Sequence, residues 1–364
     1  MKSKPLVLVS PLNWGLGHSS RCTPLINKLL ENDFDIILGS DGQALSFLMK
    51  EFPQLKYIEL PGLQIKYPKK GNLVLNLLTQ LPSNIQKLKS ENKRTNEAIQ
   101  KYNIKGIISD NRFGVYNKDV YSIFMTHQIQ ILTPSHTKLS EKIVFKLNHR
   151  LLEPFDEVWI PDYKDEPSLS GKLSHGIKLP DNTHYIGPLS RFSQNYSLDK
   201  NTSTPKVNIL AIISGPEYQR TLFEEQIYSQ LKELNVDSII IQGKPSENKC
   251  YKDDKIQIYS HLESNQLKKL IKNTPIIISR SGYSSIMDFV VLDKKAILIP
   301  TPGQTEQEYL SEEFERKNIF PSFSQNNFNL KTAISKLDNY SGIKYQKTNK
   351  VLETRIQNFK KTLT

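Results

Sequence analysis

The residues best suited to chemistry lie in four polar motifs, each of which directly follows an apolar run that is typical of a β-strand. The first motif is Asn13–Arg21, which follows the predicted strand Leu6–Ser10 and leads into a predicted helix at Pro24–Leu30. Its glycines allow the backbone to approach a ligand closely, and a helix start offers free N–H groups to an anion. Its candidate site residues are Trp14, Gly15, Gly17 and His18.

Histidine exchanges a proton readily near neutral pH, so His18 is a candidate general base. A histidine that only caps the helix fits the same spacing, and the motif leaves both interpretations open. The dinucleotide-binding fingerprint is a weak match, because four residues separate the strand from Gly15 and Ser20 stands where the third glycine belongs. Asp110, after the predicted strand Lys105–Ser109, is a second candidate as base, as a group that orients the base, or as a turn cap.

The second motif, Ile213–Arg220, follows the predicted strand Val207–Ser214. Gly215 permits a turn, and proline at the next position suits the first turn of a helix. Backbone N–H groups at such a turn can hold a phosphate, with Arg220 adding positive charge. An ordinary strand-to-helix connection explains the same residues equally well.

The third motif, Ser279–Asp288, follows the predicted strand Pro275–Ser279, and its glycine and small hydroxyl residues open a helix. Asp288 lies about one and a half turns into that helix. On an exposed face its carboxylate could accept two hydrogen bonds from the hydroxyls of a ribose, each contributing roughly 1.5–3 kcal/mol. A solvated surface acid is the alternative interpretation.

The fourth motif, Pro300–Tyr309, follows the predicted strand Lys295–Pro300. Proline and glycine fix a loop, and Gln307 and Glu308 then begin a helix. Amide and carboxylate side chains suit sugar hydroxyls because they offer paired donors and acceptors. Taken alone, the motif is a polar helix start.

These motifs are embedded in two series of short β-branched runs that alternate with helical stretches, separated by a polar linker at residues 191–205. Many of the runs are apolar throughout, which is typical of parallel strands covered by helices on both faces. The sequence therefore predicts an α/β fold with two doubly wound domains, residues 1–190 and 206–343, followed by a helix over 344–364. Ligands bind beyond the carboxyl ends of such strands, so two facing domains would create a central cleft. The remaining predicted strands are Asp35–Gly39, Lys56–Leu60, Tyr121–Thr126, Glu157–Ile160, Thr183–Ile186, Asp237–Gln242 and Lys255–Tyr259.

Composition narrows the class of protein. A chain of 364 residues with 37% hydrophobic residues is long enough for two buried cores. The net charge of +12 favours an anionic partner such as nucleic acid, a membrane surface or a phosphorylated small molecule, although a lysine-rich genome explains it as well. The two cysteines, Cys22 and Cys250, exclude a disulfide scaffold and a cysteine-based zinc site. With no apolar run of ~18–20 residues and no signal-peptide pattern, we expect a cytoplasmic protein.

Together the four motifs resemble GT-B glycosyltransferases, above all family 28, which includes the bacterial lipid-II-forming N-acetylglucosaminyltransferase and the plant monogalactosyldiacylglycerol synthase. The resemblance depends on Arg280-Ser281-Gly282, on an acid eight residues after the arginine, and on a proline-led loop with Gln307-Glu308-Tyr309. The glycine loop ending in His18 resembles the first domain of the family. The segment Tyr185-Ile186-Gly187-Pro188-Leu189 resembles the end of that domain.

The resemblance implies roles for individual residues. Asp288 corresponds to the acid that holds the donor ribose, and Gln307 with Glu308 to the pair that reads the donor sugar. His18 corresponds to the histidine that assists the acceptor at the rim of the cleft. The turn that faces the diphosphate corresponds to Ser281, Gly282, Ser284 and Ser285. The segment whose backbone reads the nucleobase corresponds to His261 and Leu262.

The implied reaction is inverting transfer from a nucleoside-diphosphate sugar, most naturally UDP-linked, without cofactor or metal. Helix N-termini, with Arg220 or Arg280, would offset the charge of the leaving diphosphate. The Asp-x-Asp sequence at Asp33–Asp35 precedes a strand, which is the wrong end for the metal-dependent alternative fold. The acceptor is open, and a lipid, a glycan or a cell-envelope precursor fits the family.

A peripheral contact with the inner face of a membrane is one interpretation of the basic, partly amphipathic stretch Lys66–Lys105. A helix around Leu139–Leu152 would extend that face. An ordinary surface helix with its apolar side in the core explains the same pattern. The basic tail Lys344–Thr364 is helical in pattern and by analogy packs across the first domain.

Three other functions stay open. A nucleotide-sugar 2-epimerase uses the same fold without a separate acceptor. A catalytically silent nucleotide-sugar binder shares the whole pattern. A nucleic-acid-binding protein is suggested only by the charge, since the chain has no recognised nucleic-acid module, and no nucleic-acid partner is expected.

Overall fold

The computed structural model describes residues 4–62, 73–133, 138–193 and 206–364, with the side chains of 73–84, 138–140 and 349 excepted. The chain divides into two compact units. The first is formed by residues up to 14, 18–189 and 347–364, and the second by residues 15–17 and 190–346. Most of the predicted linker, residues 194–205, lies outside the described residues, as do residues 66–72 of the predicted basic stretch.

The first unit contains a seven-stranded, entirely parallel sheet in the order β3-β2-β1-β4-β5-β6-β7. Its central strands are buried along almost their whole length, which is why their sequences are apolar on both faces. The strands are β1 Leu6–Pro11, β2 Asp35–Ser40, β3 Lys56–Glu59, β4 Gly106–Asp110, β5 Tyr121–Met125, β6 Glu157–Ile160 and β7 Thr183–Tyr185.

The helices of the first unit are α1 Gly17–Glu31, α2 Gly42–Glu51, α3 Leu73–Tyr102, α4 Lys138–Leu152 and, from the carboxyl end of the chain, α10 Asn349–Leu363. The predicted start of the first helix at Pro24 is wrong, because α1 already begins at Gly17. A proline eight residues into a helix is tolerated there, although it removes one backbone donor. The earlier start places His18 and Arg21 on the first turns of a helix rather than in a loop.

The terminal helix α10 packs on the first unit through an aromatic side chain. The ring of Phe359 stacks on Phe34 with 5.7 Å between centroids and also contacts Trp159. A Cβ atom on Gly106 would lie 2.5 Å from the Phe359 ring, so only glycine at the start of β4 allows this approach.

The second unit contains a six-stranded sheet in the order β10-β11-β9-β8-β12-β13. All neighbours are parallel except the edge pair β10–β11, which is an antiparallel hairpin. Its turn begins at Asp254, which has a positive φ of 56°, as short hairpin turns require. The strands are β8 Ile209–Ile212, β9 Ser238–Ile241, β10 Cys250–Asp253, β11 Ile256–Tyr259, β12 Ile276–Ser279 and β13 Ile297–Leu298.

The helices of the second unit are α5 Gln219–Leu234, α6 Ser264–Asn273, α7 Tyr283–Val291, α8 Thr305–Arg316 and α9 Leu330–Lys336. The isoleucine-rich strands pack against the apolar face of α5, which contributes Phe223, Ile227 and Leu231 to one continuous core. Strand β10 was not predicted, because its exposed sequence Cys-Tyr-Lys-Asp carries no apolar alternation. The prediction of two α/β domains built on parallel sheets is confirmed.

Candidate active site

The first unit brings His18 and Asp110 together at the carboxyl end of its sheet. Asp110 is the last residue of β4 and is fully buried, while His18 lies on the first turn of α1. The His18 Nδ1 atom lies 3.2 Å from Asp110 Oδ1. The two residues are distant in sequence, and they meet because α1 begins directly beyond the carboxyl end of the neighbouring strand β1.

Three further side chains complete this cluster. Arg21, one turn after His18, donates from Nε to Asp110 Oδ2 at 2.8 Å and from Nη2 to Asp110 Oδ1. Arg21 Nη1 lies 3.0 Å from Nδ1 of His127, and Cys22 Sγ lies 3.6 Å from Asp110 Oδ2. All five residues are at most 7% exposed, so the mutual polar contacts of their side chains replace contacts with water.

The electrostatics of the cluster are governed by Arg21. Burial alone raises the pKa of Asp110, but the charges of Arg21 and His18 and their hydrogen bonds more than offset it, so the net pKa lies well below the usual range. Asp110 is therefore ionised near neutral pH, and the lowered pKa makes its carboxylate a weaker base than an ordinary aspartate. Burial and the negative charge of Asp110 raise the pKa of Cys22 well above its usual value, so this thiol stays protonated.

The geometry leaves the far side of the His18 ring for a ligand. Both polar contacts of the ring involve Nδ1, and within the described residues Nε2 has no hydrogen-bond partner. An imidazole that donates from Nδ1 to a carboxylate presents a lone pair at Nε2. Such a nitrogen can accept a proton from a hydroxyl group.

The glycine loop before α1 is open. Gly15 has a φ of +69°, which favours glycine, and a side chain there would meet nothing within 4 Å. Gly17 belongs to the second unit by its contacts, and its carbonyl accepts a hydrogen bond of 2.8 Å from Ser284 Oγ in that unit. Trp14 is partly buried in the same loop.

In the second unit, the predicted donor residues gather at the carboxyl edge of the sheet. This follows from parallel pairing, because β11, β9, β8, β12 and β13 run side by side and therefore end at the same edge. Gly215 follows β8, with a φ of +112°. The partly buried His261 and the buried Leu262 follow β11, immediately before α6.

The loop after β13 is held by its own two polar residues. Gln307 is buried, and its Oε1 accepts a hydrogen bond of 2.9 Å from the backbone N–H of Thr301. Glu308 accepts one of 2.8 Å from the N–H of Gly303. Both side chains therefore shape the loop, and the Glu308 carboxylate, which is partly exposed, retains acceptor capacity.

The N-terminus of α7 presents the features of an anion-binding turn. Gly282 is the N-cap, no side chain caps the helix, and Ser284 and Ser285 lie in the first turn with their side chains half-buried. The first N–H groups of a helix have no partner within the helix and carry a partial positive charge. Ser281 ties the turn to the next loop, because its Oγ donates to the Gln307 carbonyl at 2.8 Å.

The two arginines predicted near the diphosphate are engaged with the protein itself. The Arg280 guanidinium is fully buried over the ring of Phe223 and donates to the carbonyls of Gln219, Ile299 and Pro300. Burial lowers its pKa to about 9. Arg220 is buried as well and bonds Glu217 and the Gly243 carbonyl, and burial lowers its pKa too.

Asp288 is buried rather than exposed, which differs from the surface position considered from the sequence. Its Oδ1 accepts a hydrogen bond of 2.5 Å from Ser190 Oγ, and its Oδ2 lies 3.7 Å from Arg191 Nε. Burial raises the pKa of Asp288 to about 6, while Arg191 and Ser190 act in the opposite direction. One oxygen thus already carries the kind of hydroxyl contact that a ribose would supply.

Sequence reasoning missed several residues that contact the predicted ones. Arg21 had a local signal, because His-x-x-Arg places both side chains on one helix face. His127 had none, since it reaches the cluster only through the pairing of Asp110 with Met125 on the next strand. Ser190 and Arg191 lie outside every motif and contact Asp288 across a long sequence separation.

Two negative findings concern only the described residues. No group of three or more His, Cys, Asp or Glu side chains is arranged there to hold a metal ion. No helix in that part of the chain has both the length and the apolar character needed to cross a bilayer.

Comparisons of sequence agree with this geometry. Residues 219–363 match the Glycosyltransferase family 28 C-terminal domain. Two proteins of Methanosarcina acetivorans and Methanosarcina mazei, each described as an uncharacterized glycosyltransferase, are 22% identical over 307 and 312 residues. Each alignment covers 81% of this chain and 79% of the relative.

Comparisons of structure address the fold. The glycosyltransferase of kitacinnamycin has a TM-score of 0.62 at 10% identity, and the glycosyltransferase SnogD from Streptomyces nogalater has 0.59 at 10% identity. Both alignments cover the whole of this chain, with 95% and 96% of the respective structures. At this identity the likeness shows the fold alone, which is GT-B.

The fold and the sequence matches together define the class: the chain is a glycosyltransferase of the GT-B type. It resembles family 28, and the part that matches that family is the one carrying α5 to α10.

Proposed function

We propose that the protein is an inverting glycosyltransferase that moves a sugar from a nucleoside diphosphate, UDP in the first instance, to a hydroxyl group of an acceptor without a divalent metal. The observation that carries the proposal is the buried pairing of His18 with Asp110 at a strand end, in a chain whose second unit matches a glycosyltransferase family domain. The pairing supplies a base, and the matched domain supplies a donor site.

His18 acts as the general base in this proposal. The acceptor hydroxyl attacks the anomeric carbon from the face opposite the diphosphate, the bond from that carbon to the diphosphate oxygen breaks, and His18 Nε2 takes the hydroxyl proton. Asp110 orients the ring and stabilises the imidazolium that forms, because it is ionised and lies 3.2 Å from Nδ1. General bases of this kind contribute typically 10²–10⁴-fold to the rate.

The donor is held at the carboxyl edge of the second sheet. Asp288 accepts from the ribose hydroxyls, and Gln307 and Glu308 face the sugar. The backbone of His261 and Leu262 reads the nucleobase. The diphosphate lies at the N-terminus of α7, where Ser284 and Ser285 add hydroxyl donors.

The leaving diphosphate is stabilised by backbone dipoles in this proposal. The turns at Gly215 and Gly282 precede α5 and α7, and a helix N-terminus stabilises an anion by up to ~2 kcal/mol in partly buried geometry. Arg280 and Arg220 are assigned a supporting role, because their guanidinium groups already bond carbonyls or Glu217. They raise the local positive potential and fix the loops.

The acceptor in this proposal is a lipid or a cell-envelope glycan, presented at the inner face of the membrane to a protein in the cytoplasm. The support comes from α4, where Ile143, Leu147 and Leu151 are exposed and follow one another at intervals of four residues, so they form one apolar stripe. A basic stripe runs beside it, formed by Lys142, Lys146 and Arg150. This pairing of stripes is typical of helices that lie on anionic membranes.

The transfer reaction is tested in two stages. A thermal-shift screen against a panel of nucleotide sugars identifies the donor, because a ligand that binds only the folded state raises its melting temperature. Release of free nucleoside diphosphate is then measured with and without candidate acceptors. Release that depends on an acceptor and is lost in His18→Ala supports the proposal.

Other outcomes would overturn it. Isomerisation of the donor sugar without an acceptor would point to a 2-epimerase. If His18→Ala turned over as fast as the natural chain, His18 would not be the general base. Salt-dependent binding of DNA without any response to nucleotide sugars would contradict the function altogether.

Membrane contact is tested separately by co-sedimentation with vesicles. We expect the chain to pellet with vesicles containing anionic phosphatidylglycerol and to stay in solution with neutral phosphatidylcholine vesicles. Replacing Ile143 and Leu147 by serine should abolish pelleting. The control is Val351→Ser in the basic helix α10, which removes an apolar side chain that is 44% exposed, compared with 52% for Ile143 and 51% for Leu147. Equal loss of pelleting in the control would contradict a role for α4.

A further inference from the structure

Arg21 connects three parts of the first unit around the proposed base. It lies on α1 one turn after His18, contacts Asp110 at the end of β4, and reaches His127 beyond the end of β5. The side chain is 1% exposed. An arginine buried to this degree is fixed in place by its partners, and here those partners include both histidines near the proposed reaction site.

Arginine chemistry determines which nitrogen of His127 carries the proton. A guanidinium group has five N–H donors and no acceptor. Arg21 Nη1 lies 3.0 Å from His127 Nδ1, so that nitrogen must accept and is unprotonated. The neutral ring of His127 therefore carries its proton on Nε2.

At His18, Arg21 and Asp110 compete for the same ring nitrogen, Nδ1. Its Nδ1 lies 2.9 Å from Arg21 Nη2, which can only donate, and 3.2 Å from Asp110 Oδ1, which can only accept. A proton on Nδ1 satisfies Asp110 and leaves Nε2 free to act as a base. A lone pair on Nδ1 satisfies Arg21 and places the proton on Nε2, which then cannot accept one.

We propose that Arg21 is a positioning residue for the general base, and that His127 belongs to the same network as the acceptor that holds the guanidinium in place. The inference depends on the proposed role of His18. With Nη1 fixed by His127 and the Nε and Nη2 edge fixed on the carboxylate, Asp110 is held with Oδ1 toward His18. The carboxylate is then the partner of the Nδ1 proton, because Arg21 Nη2 already donates to Asp110 Oδ1 and retains that acceptor when Nδ1 of His18 is protonated.

The molecule offers a matched control for this role. Arg112 is an equally buried arginine of the same unit, and its Nε donates to Glu91 Oε1 at 2.7 Å while Nη2 bonds the Leu60 carbonyl. It pairs with a buried carboxylate as Arg21 does, but among the described residues no histidine is one of its hydrogen-bond or ion-pair partners. A substitution there reproduces the cost of disturbing a buried ion pair without touching His18.

The test uses the full-length chain labelled with ¹⁵N in histidine, without ligand, at neutral pH. The nitrogen resonances of His18 and His127 are assigned from His18→Asn and His127→Asn, and they report which ring nitrogen is protonated. We expect a single tautomer for each ring, with the proton on Nδ1 of His18 and on Nε2 of His127. In Arg21→Lys, whose single nitrogen cannot span both partners, we expect both rings to become mixtures, while Arg112→Lys leaves them unchanged.

Turnover provides the second measurement. With the donor and acceptor identified by the screen above, Arg21→Lys should lower kcat by about 10- to 100-fold and leave KM for the donor within about twofold, as expected when a reacting group is misplaced. His127→Asn, which retains an acceptor near the Nδ1 position, should keep most of the activity. His127→Leu, which has no acceptor, should fall to the level of Arg21→Lys.

The outcomes separate this inference from the proposed function. Unchanged tautomers and unchanged kcat in Arg21→Lys would overturn the positioning role while leaving His18 as the base. Equal losses in Arg112→Lys and Arg21→Lys would overturn it as well, because the effect would then be structural. If His18→Ala were fully active, the proposed function itself would fail, whatever the tautomers showed.

Discussion

Each unit has a buried aspartate near the carboxyl edge of its sheet, Asp110 in the first and Asp288 in the second, and the pKa values of these two carboxylates are shifted in opposite directions. Asp110 is fully buried and accepts two hydrogen bonds from Arg21. The positive charge of Arg21 and these hydrogen bonds hold the pKa of Asp110 below the usual range. Asp288 is nearly as buried, but Arg191, its ion-pair partner among the described residues, lies 3.7 Å away, and burial raises the pKa of Asp288 to about 6. Burial is thus common to both sites, and the distance to an arginine decides the sign of the shift.

We propose that the difference separates a carboxylate that fixes a neighbouring side chain of the protein, Asp110, from one that binds a ligand, Asp288. Asp110 has its oxygens filled by Arg21, His18 and Cys22, so it is suited to fixing a neighbouring side chain. Asp288 bonds a single hydroxyl, that of Ser190, and is under-compensated. A hydroxyl-rich ligand such as a ribose would complete it.

The largest expected effect tests the strength of the first pairing. Asp110→Ala leaves the Arg21 guanidinium buried without its carboxylate, and breaking a buried ion pair in this way typically costs about 3–5 kcal/mol. We expect a loss of that size in the free energy of unfolding, measured by urea denaturation. Asp288→Ala removes a poorly compensated carboxylate and should change the same quantity by less than about 1 kcal/mol. If both substitutions lowered the free energy of unfolding equally, the two aspartates would not differ in their contribution to stability.

The fold was largely predictable, because burial on both faces of a parallel strand leaves a direct mark on the sequence. Runs such as Ile276–Ile278 and Leu6–Val9 are apolar throughout, and their alternation with helices indicated both sheets. The failures have local causes. Strand β10 is exposed and pairs only at the sheet edge, and the start of α1 is hidden by glycines and a proline that usually mark a loop or a helix end.

The candidate site was predictable only as a set of positions. Strand ends located His18, Asp110 and Asp288, since parallel strands bring their carboxyl ends to one edge. Their partners were not predictable, because His127 and Ser190 reach them through pairing and packing over long sequence separations. The protonation states follow from those partners, so they too required the structure.

Donor affinity is the next test of the contrast. Asp288→Ala should weaken binding of the nucleotide sugar by roughly 1.5–3 kcal/mol, the contribution of hydrogen bonds to a charged group. Isothermal calorimetry with the donor found in the thermal-shift screen measures this. Asp110→Asn is the comparison, and it should lower turnover with little change in donor affinity. If Asp288→Ala bound the nucleotide sugar with unchanged affinity, Asp288 would not bind the ribose.

The pH dependence of stability has opposite signs at the two aspartates. The folded pKa of Asp288, about 6, lies above its unfolded value, so its ionised form destabilises the fold above pH 6 and protonation relieves this as the pH falls. Between pH 7.5 and 5 the natural chain should gain about 1 kcal/mol relative to Asp288→Asn. The contribution of Asp110 has the other sign and is retained over this range, because its folded pKa is lowered. A constant difference between the two chains from pH 7.5 to 5, in urea denaturation, would contradict the raised pKa of Asp288.

The smallest expected effect isolates the single hydroxyl that Asp288 already holds. Ser190 Oγ donates to the carboxylate at 2.5 Å and thereby lowers the pKa that burial has raised. Ser190→Ala removes that donor, so the pKa of Asp288 should rise further and the pH at which the stability difference from Asp288→Asn develops should move up. Adding the nucleotide sugar should reverse this upward shift in pH, because a ribose hydroxyl would replace the missing hydroxyl of Ser190. If the nucleotide sugar left this pH unchanged, Asp288 would have hydrogen-bond partners only within the protein. Asp288 would then differ from Asp110 only in how strongly its charge is compensated.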